Sequence, residues 1–176
     1  MNNKKLLVIL LAVLTFAGIA QAQTGSGTLG VTVNVQGSVN LTFLTDASGM
    51  AVTGTTTSTA SLPMGTVSMY GGTLPANVTR TINGAALSFN LSTPFDILVN
   101  ISNSASTTYT LAAMLTAADS VNVWTLGPTN ISSGASFAMT STGAYATALP
   151  YTLKLTVPAA ATGLISNTIG FTATPN

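Results

Sequence analysis

Beyond residue 22, the charged side chains of this chain are Asp46, Asp96, Asp119, Arg80 and Lys154, and the whole sequence contains no His, Cys or Glu. General acid–base and nucleophilic chemistry need groups that ionise near neutrality within hydrogen-bond reach of one another. Three scattered aspartates, one lysine and many unassisted hydroxyls do not supply them, so no enzymatic activity and no cofactor are expected. No aspartate has the carboxylate spacing of a calcium loop, so no metal site is expected either. Arg80 is the odd charge. If Asn83-Gly84 forms a two-residue turn, Val78, Arg80 and Ile82 share a face with Ala85, Leu87 and Phe89, which puts a guanidinium in an apolar column. Unpaired burial there costs several kcal/mol. The alternatives are snorkelling at the hairpin end, an ion pair of Arg80 with Asp96 or Asp119, or an edge charge that restricts which strand pairs there.

The N-terminus has the three regions of an export signal. MNNKK is basic, LLVILLAVLTFAGIA is continuously apolar, and Ala20-Gln21-Ala22 is a small-x-small cleavage pattern. The apolar run of 15 residues is shorter than the roughly 20 needed to span a bilayer. The expectation is a signal peptide over 1–22, no membrane span after cleavage, and an exported chain, extracellular or at the cell surface, with the periplasm as the other location. Removing Lys4 and Lys5 turns the formal charge of +1 into two cations against three aspartates, a net of −1. No basic patch remains for nucleic acid. Near-zero charge also removes the usual electrostatic resistance to self-association.

Alternation with period two dominates the rest. In TLGVTVNVQGSVNLTFLT, Leu29, Val31, Val33, Val35, Val39, Leu41 and Phe43 share one face, and Gly37 sits in the apolar register. Further strands are expected around Val67 to Tyr70, in VTRTI and AALSFNL flanking Asn83-Gly84, in FDILVNIS, at Tyr109 to Leu115, Val121 to Leu126 and Ser136 to Thr140, in YTLKLTVP, and in LISNTIGFTAT. About nine short strands separated by Gly/Pro/Asn/Ser turns predict an all-β fold, a single antiparallel immunoglobulin-like β-sandwich over 37–176.

Residues 23–36 form an N-terminal strand with two readings. Extended from Thr28 to Thr45 it reaches about 55–60 Å, longer than the roughly 40 Å diameter of a domain this size. Either Gly37 bends the chain so that 28–35 and 39–45 join different sheets, or part of 24–35 pairs with an open sheet edge of a neighbouring copy, burying Leu29, Val31, Val33 and Val35.

At the closing hairpin, YTLKLTVPAAATGLISNTIGFTAT resembles the last two strands of secreted bacterial immunoglobulin-like domains, as found in fimbrial subunits and spore-coat-U-like proteins. The resemblance to fimbrial subunits of the chaperone–usher type implies homopolymeric assembly by strand donation, with a periplasmic chaperone as a further partner. Many such subunits carry a disulfide, which this chain cannot form.

Two other features have structural explanations. Trp124 with Tyr70, Tyr109, Tyr145 and Tyr151 suits sugar stacking, but the register of Tyr151 favours packing in the core or at the sheet rim. The Asn-x-Ser/Thr triplets at Asn40, Asn77, Asn90, Asn100 and Asn130 are close to what a Ser/Thr-rich composition produces by chance. The expectation is a structural subunit of a bacterial surface filament or extracellular matrix. The alternative is a monomeric secreted module that binds a glycan or adhesion partner.

Overall fold

The computed structural model describes residues 29–176, so the expected signal peptide lies outside the described residues. The chain divides into two compact units, Met1–Asn34 and Val35–Asn176. In the first, residues 29–34 belong to no strand, and Leu29, Val31 and Val33 are 89, 77 and 74% exposed.

The second unit contains no helix among the described residues. Its strands are β1 (Ser38–Leu44), β2 (Thr66–Val67), β3 (Gly72–Thr73), β4 (Thr79–Asn83), β5 (Ser88–Ser102), β6 (Thr108–Leu115), β7 (Val123–Leu126), β8 (Thr129–Ile131), β9 (Phe137–Ala144), β10 (Ala148–Pro158) and β11 (Ile169–Pro175). They form an antiparallel β-sandwich-like fold. One sheet has the order β1-β5-β10-β7-β8, with β4 also on β5; the other is β11-β6-β9; and β2 pairs with β3. The apolar halves of the alternating strands meet in one core, with Phe89, Leu91, Phe95, Ile97 and Val99 of β5 and Leu153, Leu155 and Val157 of β10 on one side. Tyr109, Leu111, Ala113 and Leu115 of β6 are buried with them. Burying side chains of this size contributes about 1.5–3 kcal/mol each, which lets the sandwich form without disulfides.

The central strand β5 runs through Pro94, so FNL and FDILVNIS are one strand of 15 residues. A proline is tolerated where its missing N–H costs no ladder bond. β1 pairs with β5 from Asp96 onward and β4 only up to Ser92, so Pro94 lies opposite the break between them. Gly49 fills that break, and a Cβ there would run into the Pro94 carbonyl oxygen. In an antiparallel strand the N and C=O of one residue face the same side, so Pro94 presents its donorless nitrogen to the break, away from β10.

Two expectations about elements need correction. The β4–β5 connection is a four-residue loop, Gly84–Leu87, because Asn83 pairs with Ser88. The left-handed position is Leu87, at φ 46°. The first strand begins at Ser38, so none of residues 29–35 joins either sheet. At Gly37 a Cβ would lie 2.9 Å from the Asn103 carbonyl oxygen, so this glycine permits a close approach of two backbones where β1 enters the sheet. The strand expected at Tyr109 to Leu115 is present as β6 although TLAAML is rich in helix formers, because alternate residues Tyr109, Leu111, Ala113 and Leu115 are all buried in the core.

Candidate assembly edge

The three-stranded sheet ends on β11, whose seven residues pair with β6 in unbroken register from Ile169↔Leu115 to Pro175↔Tyr109. Among the described residues, no backbone group of Ile169–Pro175 bonds to anything on its other side. β11 lies beside β1 of the larger sheet, but the two share no ladder; they meet through side chains, with the Phe43 and Phe171 rings 5.4 Å apart and edge to face. Phe95 lies 6.3 Å from both rings. Val39, Leu41 and Phe43 of β1 and Ile169, Phe171 and Ala173 of β11 all pack on the core yet remain partly exposed. The sandwich is therefore incompletely covered along this seam. A strand laid on β11 with alternate apolar side chains turned inward would complete it.

The two walls of the seam differ in backbone. The amide of Phe43 donates to the Thr57 carbonyl at 2.9 Å, and the Phe43 carbonyl accepts from the Thr56 amide at 2.7 Å. The 53–61 excursion, closed by a bridge between Thr53 and Ser61, thus occupies part of the outer edge of β1. On β11 no ladder position of the outer side is occupied among the described residues.

Arg80 sits opposite Leu91, in an apolar column as expected, although the register is displaced by the longer loop. Its Nη1 donates to the carbonyls of Ser68 at 2.9 Å and Gly71 at 2.6 Å, which ties the β2–β3 hairpin to β4. The expected ion pair with Asp96 is not made: Asp96 lies five residues further along β5 than Leu91, roughly 16 Å away. The neighbour of Asp96 is instead Asp46, so two of the aspartates expected to be far apart lie within hydrogen-bonding reach. Burial, then the negative charge of Asp46, raises the Asp96 carboxyl above its ordinary value. Asp46 is lowered, first by the Ser48 hydroxyl and then by the Ser48 amide, which donate at 2.6 and 2.7 Å.

Asp119 organises the β6–β7 loop. Its Oδ1 accepts from the amides of Val121 at 3.0 Å and Asn122 at 2.9 Å, and its Oδ2 from the Trp124 indole N–H at 2.7 Å. Burial acts to raise this carboxyl, but the amide of Asn122, the indole, the Asn122 side chain and the amide of Val121 outweigh it and hold it at about 2. With its lone pairs engaged, this carboxylate is a loop anchor. Trp124 and Tyr109 are buried, Tyr145 and Tyr151 half-buried, and Tyr70 is 76% exposed, so the aromatics form no stacking platform among the described residues. The Tyr109 ring packs 5.1 Å from that of Tyr145, and its hydroxyl is buried without a partner.

Comparison with protein-family models, with curated proteins and with solved structures found no match.

The apolar strip at 29–35 was legible from alternation alone. The open edge of β11 was not, because which strands remain unpaired depends on the tertiary arrangement; the local signal was that LISNTIGFTAT alternates without a charged residue.

Proposed function

We propose that this chain is an exported structural subunit of a bacterial surface filament or extracellular matrix, in which residues 29–35 of one copy add as a strand to the β11 edge of the next. The observation that carries the reading is the regular, unpaired, charge-free edge of β11 above half-covered Phe43 and Phe171. Its complement is the segment whose Leu29, Val31, Val33 and Val35 alternate and are 65–89% exposed. Unpaired edges are templates for another chain. Burying four such side chains yields roughly 6–8 kcal/mol gross, against which ordering and association costs stand.

The strand order supports an immunoglobulin-like reading of the sandwich. The order β1-β5-β10-β7 corresponds to strands A-B-E-D, and β11-β6-β9 to F-C-C′. The departure is that β9 follows β7 in the chain. The G position beside F has no occupant among the described residues, and it is the position a donated strand takes. In this reading residues 1–22 direct export, and a periplasmic chaperone covers the edge of β11 until assembly.

The test is size-exclusion chromatography with negative-stain microscopy on the exported wild-type chain and on Val31→Asp/Val33→Asp. Filaments or large oligomers from the first, and a folded monomer from the second, are expected. A wild-type chain that stays monomeric at high concentration after long incubation contradicts assembly and favours the monomeric binding module.

A further inference from the structure

We propose that the cleft between the β6–β7 and β10–β11 loops is the seat on which the body of the neighbouring copy rests in the filament; this inference depends on strand donation. The cleft is open and measures ≈ 420 Å³, with Val121, Ala161, Leu164 and Ile165 as its apolar wall and Asp119 and Asn122 beside them. Leu164 is 93% exposed and Val121 58%. Exposed apolar side chains gathered in one concavity mark an interaction surface.

The strand directions say what covers it. β1 is antiparallel to β5, β6 returns in the other sheet after the turn at 103–107, and β11 is antiparallel to β6, so β11 runs opposite to β1. The pairs Ser38↔Ser102 and Tyr109↔Pro175 mark one end of the sandwich, where β1 begins. The pair Leu115↔Ile169 and the cleft mark the other end. Where the donated segment continues in the direction of its own β1, copies that repeat in one orientation place it antiparallel to the acceptor's β11. Val35 then falls beside Ile169. Only Gln36 and Gly37 separate Val35 from the first ladder residue, Ser38, a span of about 10 Å at full extension. The donor's body is thereby held against the acceptor's cleft end, where Leu164 and Val121 project. This contact is heterologous, so it repeats without closing. Insertion parallel to β11 would invert alternate copies and permit a closed, exchanged dimer instead.

The test uses the full chain carrying Leu164→Asp, with Leu164→Met as the size-conserving control and near-UV circular dichroism to confirm folding. Sedimentation gives the critical concentration for assembly. A labelled peptide spanning residues 28–36 is titrated into Val31→Asp/Val33→Asp with and without Leu164→Asp, which reads strand capture alone. The expected result is peptide affinity within about twofold in both backgrounds, a critical concentration raised about tenfold by Leu164→Asp, and little change from Leu164→Met. Assembly of Leu164→Asp at the wild-type concentration overturns the seat while leaving strand donation intact. A wild-type product that stops at dimers overturns it too, by showing the closed arrangement. Failure of the peptide to bind the donor-dead chain, together with a wild type that never assembles, removes strand donation and the seat with it.

Discussion

β9 and β11 are the two outer strands of the same three-stranded sheet, and they meet the solvent in different ways. β9 loses register with β6 twice, between Tyr109 and Leu111 and between Leu111 and Ala112. The Ser141 carbonyl of β9 accepts from the Asn176 side chain at 2.8 Å, and Gly143 lies under the Tyr109 ring. Bulges of this kind are how natural sheets protect an edge from further pairing. β11 has no such shift: its register with β6 is unbroken from Ile169 to Pro175. Both strands lack charged residues, so composition does not separate them. The difference lies in backbone regularity, and it makes β11 the edge on which the proposed assembly rests.

The largest effect is expected from an inward-pointing charge placed on each edge in turn. Ala173→Lys on β11 buries an unpaired ammonium under any added strand, which costs several kcal/mol, so assembly falls at least about 100-fold by sedimentation. Met139→Lys on β9 leaves assembly within about threefold. Equal losses from both would break the comparison.

A smaller effect concerns the monomer. A Cβ on Gly143 meets the Tyr109 ring, and overpacking of this sort costs about 1–3 kcal/mol in urea unfolding of the donor-dead chain. On β11, a Cβ at Gly170 finds its nearest neighbour at 3.8 Å, ordinary contact, so Gly170→Ala changes stability by less than about 0.5 kcal/mol. The β9 edge is thus part of the monomer's packing, whereas β11 has room to spare.

The smallest effect concerns the stability of the β6–β7 loop. The Asp119 carboxyl is at about 2 in the folded chain against an ordinary 3.8, so the stability it contributes is present above pH 3.8 and lost as pH falls through about 2. Asp119→Asn lowers stability at pH 7 by about 1 kcal/mol through weakened hydrogen bonds. It also flattens the acid limb of the stability curve between about pH 4 and 2.

Alternation made most strands legible, because a half-buried strand writes its two faces directly into the sequence, as in Ser38–Leu44 and Ala148–Pro158. It could not show that Pro94 lies inside β5, since that depends on the break between β1 and β4 across the sheet. Asn83-Gly84 signalled a hairpin without giving its loop length; the left-handed residue proved to be Leu87. Asp46 and Asp96 are 50 positions apart and meet only because Leu44 pairs with Asp96 just before the turn at 46–49. The donor half of the candidate site was legible because exposed alternation is local. The acceptor half was hidden because an unpaired edge is defined by what every other strand does.

Amide hydrogen exchange measured by mass spectrometry on assembled wild-type chain and on Val31→Asp/Val33→Asp monomer tests the central claim most directly. The account predicts that the outward-facing amides of Ile169, Phe171 and Ala173 exchange freely in the monomer and become protected at least about tenfold on assembly, while Phe137–Ala144 is unchanged. Protection that appears at β9, or equally at both edges, contradicts it.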